Sequence, residues 1–207
     1  ALAVHEDINY ISISFIKDDT QRNVIIATDL KDNFLKENEI ENSNENFQIK
    51  GKDLIGIKCK HPLYEVGYNF EVPVLHGDFV TTEQGTGIVH ICPVHGMDDF
   101  LLGKKHNLEL PMTINESGIY YDHIPVFAGK HIFKVDQDVC DEIKKCSNLI
   151  SQGQLIHSYP HSWRSKAPLV YKNTSQWFIS MDTNDLRKKA LKSIDAVSYT
   201  HLRAHET

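Results

Sequence analysis

The 207-residue sequence has no Cys-x-x-Cys pair and no run of about 18 apolar residues. The first absence removes the common zinc-ribbon and thiol-redox frameworks, and the second removes a membrane-spanning helix. No charged segment followed by an apolar stretch opens the chain, so no secretory signal is read. The four cysteines, Cys59, Cys92, Cys140 and Cys146, are scattered. Cys140 and Cys146 sit six apart on an expected helix and share no face, so reduced thiols in a cytoplasmic protein are expected. Excess positive charge is missing too: the net charge of −6 gives no overall electrostatic footprint for nucleic acid, although Lys and Arg gather between 164 and 192. Neither G-x-G-x-x-G nor a Walker A string occurs, so no mononucleotide loop is present.

What remains is an ordinary globular composition, 41% hydrophobic and 24% charged, long enough for one core and a flanking piece. Residues 8–16 alternate apolar and polar and predict a half-buried strand. A turn at Asp18-Asp19-Thr20 and a strand over 23–27 complete a hairpin. A short helix is expected over 29–37, and a solvated Asn/Glu-rich loop over 37–46. Strand, turn and strand are expected over 47–60, and an apolar strand from 70 with a break at Gly77-Asp78. A glycine-started strand over 85–92 leads to a helix over 97–107, with Phe100 and Leu101 inward. Strand–turn–strand is expected over 110–121 and an amphipathic helix over 135–150. Short strands follow over 155–159, 169–171 and 177–181, then a helix over 183–194. Many short strands with few helices predict a barrel-like α+β domain, followed by a short α/β segment. Residues 196–207 abandon the helical pattern, resemble a translated sequencing adaptor, and are read as a non-native tail. The abrupt start, without Met, reads as the interior of a larger protein.

The densest chemistry lies in GTGIVHICPVHGMDDF, residues 85–100. A glycine turn feeds an apolar strand that delivers His90. A Pro-x-His-Gly loop then carries His95 into a helix with Asp98 and Asp99 in its first turn. Asp99 reads either as a carboxylate fixed in a pocket, able to pair an ammonium group, or as a helix N-terminal acid that only opposes the macrodipole. His90, His95 and Asp99 are acceptable zinc ligands, so a metal-dependent hydrolase is one reading, although the spacing matches no zinc signature. They equally fit a core imidazole and a loop imidazole. Gly85 and Gly87 suit a turn needing positive φ, and Thr86 could hydrogen-bond a ligand. HSYPHSWR, residues 157–164, suits either stacking on bases or packing against a neighbouring domain.

These strings recur in company. GTGIVHICPVHGMDDF, LGKKHNLELPMTINESGIY, PVFAGKHIF and HSYPHSWRSKAPLVYKNTSQWFISMD, in that order, resemble the isoleucyl-tRNA synthetase family over residues 1–195. Valyl- and leucyl-tRNA synthetases carry related editing domains. The resemblance implies an aminoacyl-tRNA editing domain over 1–157, lacking a threonine-rich strand that precedes it in the family, and a return into the class I catalytic domain over 158–195. It implies hydrolysis of mischarged valyl-tRNA(Ile), with Asp99 holding the substrate's α-ammonium and His90 lining the side-chain pocket. Gly85 and Thr86 would lie where the backbone nears the substrate, and His95 beside it. ATP and Mg²⁺ would serve the whole ligase, not this segment, which lacks the synthetic site's signature motifs. The expected partners are the tRNA(Ile) acceptor end and valine or isoleucine esters, bound by a monomer away from membranes. A tRNA-docking module without hydrolysis is the binding-class alternative. Ser162 and Ser165 stand where some relatives carry a Cys-x-x-Cys, so no zinc is expected there.

Overall fold

The computed structural model describes residues 1–154 and 156–196. The tail from 197 and Leu155, where one expected strand begins, lie outside the described residues. The chain divides into two compact units, Ala1–Asn173 and Thr174–Thr207. No helix among the described residues is long and apolar enough to cross a membrane.

Two open sheets organise the first unit, and the described strands close no barrel. One sheet runs β3 (Thr20–Ala27), β2 (Asn9–Lys17), β4 (Ser43–Lys50), all antiparallel. The hairpin turns at Asp18 and Asp19, both at positive φ, where short polar side chains are tolerated. Strand β2 is central, and residues 10–15 are buried throughout rather than alternately. Tyr10 enters one core while Ile11, Ile13 and Phe15 enter another with Ile26 and Phe34 of α1 (Lys31–Glu37). The buried hydroxyls of Ser12 and Ser14 are satisfied by the Asn46 amide. That bond partly explains why polar residues 43–46, expected in a loop, belong to β4. Exposed side chains do not prevent an edge strand when a neighbour supplies the ladder.

The second sheet runs β5 (Lys58–Lys60), β6 (Glu71–His76), β1 (Leu2–Val4), β7 (Val89–His90). Its β1–β6 pair is parallel and its β1–β7 pair antiparallel, with Leu2 opposite His90. Leu2, Val4 and Val74 meet Tyr10 and Ala27 on one face, while Ala3, Leu75, Val80 and Ile91 meet Leu102 on the other. A helical turn, α2 (Gly51–Leu54), takes the place of the expected turn between strands.

Helix α3 (Met97–Lys105) forms as predicted but buries Leu102 and Gly103; Leu101 is 57% exposed. Helix α4 (Asp136–Lys145) stops five residues short of its expected end, with Cys146 at the cap. The strands expected over 110–121, 156–159 and 169–171 reduce to isolated bridges, Ile114–Tyr120 and His161–Pro168 among them. All four cysteines are free. In the second unit the expected strand over 177–181 does not form, and α5 (Leu186–Asp195) does.

The glycine turn ties the two sheets together. Ala27 N–H donates to the Thr86 carbonyl at 2.8 Å, and the buried Tyr10 hydroxyl donates to the Gly87 carbonyl at 2.8 Å. Gly87 has φ +72°, and a Cβ there would lie 2.5 Å from the Cβ of Ala27. Gly85 has φ +74° but faces open space. Gly87→Ala is therefore expected to destabilise by about 2–4 kcal/mol and Gly85→Ala by about 1 kcal/mol, as strain plus overpacking exceeds strain alone. Urea denaturation of both variants checks the ordering; equal losses would remove the close approach as the cause.

Candidate functional site

The site forms where β7 ends and α3 begins. Strand β7 is shorter than predicted, two residues, because the glycine turn occupies the preceding positions. Ladder pairing with β1 fixes His90, and Ile91 N–H donates to the Ala1 carbonyl at 2.8 Å just beyond. Ile91, 1% exposed, anchors the strand end in the core. The loop then turns at His95, whose N–H donates to the Cys92 carbonyl at 3.0 Å.

Helix α3 is seated by Leu102 in the core and by Gly103, where a Cβ would come within 2.8 Å of the Pro93 ring. Its first turn carries Asp98, exposed, and Asp99, half-buried. The Asp99 carboxylate folds back over Gly96: a Cβ on Gly96 would lie 2.7 Å from Oδ2. Asp99 caps no backbone N–H, and no hydrogen bond to its carboxylate is formed among the described residues. Its charge reaches both His90 and Cys92. An acid at a helix N-terminus that neither caps nor pairs is a counter-charge open to a ligand.

His90 keeps part of its surface open, yet the protein packed around its ring holds its pKa below the ordinary 6.5, with Asp99 opposing that shift. Burial pushes the Cys92 thiol up, so it stays protonated and is a poor nucleophile.

The other predicted residues are engaged inside the chain. His95 places Nδ1 2.7 Å from the Tyr171 carbonyl and Nε2 3.3 Å from the Thr113 hydroxyl. Both ring nitrogens thus pin the loop, with Nδ1–H donating to the carbonyl. The Thr86 hydroxyl donates to the Ile88 carbonyl at 3.3 Å and accepts from Ile88 N–H at 3.4 Å, closing its own turn. Among the described residues no three His, Cys, Asp or Glu side chains converge as a ligand set, so His90, His95 and Asp99 do not form the geometry a metal hydrolase needs.

One neighbour escaped the sequence reading. His61 lies close enough to His90 for the two imidazole charges to interact. Its ring stacks on Tyr68 at 4.8 Å and tilts against Phe70 at 5.3 Å. Tyr68 donates to the Pro125 carbonyl at 3.0 Å and packs on Phe127; burial pushes its phenol up to about 12. The nearest sequence signal was a His-Pro pair just after a strand, which is too common to single out.

Burial, with the charge on His90 adding to it, lowers the pKa of His61; burial likewise leads for His90. The sign follows: below the unfolded value of 6.5 the unfolded chain takes up protons that the folded chain resists. The stability these groups contribute is complete above that value and is lost as pH falls. Urea midpoints should decline between about pH 6.5 and 5, above the carboxylate range, and the decline should flatten in a His61→Gln/His90→Gln double variant. An unchanged slope in the double variant would assign the decline elsewhere.

Comparison with known proteins places this geometry. The sequence profile described as "Leucyl-tRNA synthetase, editing domain" matches residues 9–134. The isoleucine–tRNA ligase of Pelagibacter ubique (strain HTCC1062) is 45% identical over 201 residues, which are 96% of this chain and 22% of that protein. The ligase of Idiomarina loihiensis is 40% identical, covering 96% of this chain and 21% of the relative. The chain thus spans about a fifth of the length of these relatives. A solved structure described as "The crystal structure of GlLeuRS-CP1" shares the fold with a TM-score of 0.53 at 17% identity, covering 74% of this chain and 78% of that one. The matched residues take in the glycine turn, His90 and Asp99, and the chain belongs to the leucyl-tRNA synthetase editing-domain family.

Proposed function

We propose that this chain is the editing segment of an isoleucine–tRNA ligase and hydrolyses valyl-tRNA(Ile). The observation that carries the reading is the unpaired Asp99 carboxylate, held over Gly96 within electrostatic reach of His90. An aminoacyl ester has one permanent positive charge next to its reacting carbonyl, the α-ammonium, and Asp99 supplies its fixed partner. The need for such a site follows from the weakness of methylene discrimination, for which isoleucine against valine in this enzyme class is the standard illustration. One missing methylene is worth only about 1–3 kcal/mol, so a second pocket that excludes the larger side chain is required.

His90, neutral near pH 7 because burial lowers its pKa, lines the side-chain pocket and helps to set its size. Water attacks the ester carbonyl carbon; the bond from that carbon to the ribose oxygen breaks, and the proton passes to the departing ribose hydroxyl. No side chain in this segment is assigned as general base. Substrate hydroxyls and an oriented water carry the proton, while the chain contributes position and charge. Gly85 and Thr86 shape the wall by their backbone, and His95 holds the loop between His90 and Asp99. Asp98, exposed, stays outside the reaction. In the whole ligase ATP and Mg²⁺ serve amino-acid activation, and no step of the hydrolysis runs through them. The partner is the acceptor end of the tRNA, and the whole enzyme works as a cytoplasmic monomer.

Asp99→Asn should lower kcat/KM for valyl-tRNA deacylation by about 10–150-fold, the loss of one charge-assisted hydrogen bond. His90→Ala should admit isoleucyl-tRNA to hydrolysis. The assay is release of labelled amino acid by the full-length ligase carrying each substitution, with chelator present. Undiminished deacylation by Asp99→Asn would overturn the assignment. Binding without hydrolysis in the unsubstituted enzyme would leave only a docking module.

A further inference from the structure

Beside His90 the first unit carries a second feature that hydrolysis does not use. A cleft of about 600 Å³ opens between the loop after β5 and the C-terminal end of α4. Lys60, His61 and Tyr64 line one side and Lys145 the other. The Lys60 ammonium lies 4.9 Å from the centroid of the Tyr64 ring. The walls are tied together by the Asn148 amide, which donates to the Pro62 carbonyl at 2.6 Å. His61 sits at the seam, in the cleft wall and within charge reach of His90. Its Nδ1 accepts from Leu63 N–H at 3.1 Å, so the neutral ring carries its proton on Nε2 and offers one donor. The acids nearby are Glu65, in the lining, and Glu142, paired with Lys145.

We infer that this cleft is the subsite for the single-stranded nucleotides that precede the aminoacylated ribose, with Lys60 and Lys145 facing phosphate and Tyr64 stacking a base. Ammonium groups beside an exposed aromatic face are the two elements that single-stranded nucleic acid recognition combines, and stacking makes no demand on base identity. The position fits the order of groups in the substrate: ester at His90 and Asp99, then ribose, then the preceding nucleotides. The inference rests on the proposed tRNA substrate.

The test is fluorescence anisotropy of the full 207-residue chain with an acceptor-stem minihelix ending in an unpaired 3′ strand, over a series of salt concentrations. Lys60→Ala should weaken binding several-fold and reduce the slope of log K against log salt by about 0.7, one single-strand phosphate contact. Tyr64→Leu should weaken binding roughly tenfold, the loss of one base stack, and Tyr64→Phe should restore it. Lys36→Ala, outside the cleft, should behave as wild type. Circular dichroism melts show whether each variant is folded. If the wild-type chain binds and Lys60→Ala and Tyr64→Phe both behave like Lys36→Ala while Tyr64→Leu loses nothing, the cleft is not the subsite and the proposed substrate survives. If the wild-type chain does not bind the minihelix, the proposed substrate fails and the subsite with it.

Discussion

The seating of α3 on the loop before it is the constraint on which the site depends. Gly103 lets the helix lie against Pro93 at a distance no side chain would permit, and Leu102 fixes its rotation by entering the core with Ile91, Leu75 and Ala3. Burial of a leucine side chain contributes about 1.5–3 kcal/mol, enough to set the orientation of a nine-residue helix that has little amphipathic character of its own. With that contact made, the first turn of α3 must face the end of β7, and Asp99 comes within charge reach of His90.

Both partners are placed by backbone, which keeps their side chains free. His90 is held by ladder pairing to β1, and Asp99 by its position one turn into a helix whose N-cap is glycine. The neighbours do the structural work: His95 spends both ring nitrogens on the loop, Thr86 spends its hydroxyl on its own turn, and Tyr10 holds the Gly87 carbonyl. A carboxylate without a partner beside an imidazole kept neutral by burial is unfavourable as architecture. It becomes favourable when an ammonium ester arrives, so the arrangement makes sense as a preorganised site.

Local pattern made much of this legible. The β2–β3 hairpin, α1, β6 with its break at Gly77 and the helix at 97 all carry their own turn and cap signals. The rest depended on partners distant in sequence. Strand β1 is three residues long and exists only because β6 and β7 flank it. Strand β4 starts inside a polar stretch because β2 offers a ladder, and residues 177–181, apolar enough for a strand, pair with nothing. At the site, His90 and Asp99 stood out because they lie nine residues apart in one motif. His61 did not, because 29 residues and a separate sheet edge divide it from His90. The true commitments of His95 and Thr86 could not be read either, since hydrogen-bond partners such as Tyr171 lie far along the chain.

The central claim is that Asp99 and His90 recognise a small aminoacyl group by its charge and its size. The most direct measurement is calorimetric titration of the chain with non-hydrolysable 3′-aminoacylamino-adenosine analogues carrying valine, isoleucine, or valine with its amine acetylated. The account predicts that the valine analogue binds more tightly than the isoleucine analogue, and that acetylation, which removes the ammonium charge, abolishes binding. Equal affinity for all three would contradict it.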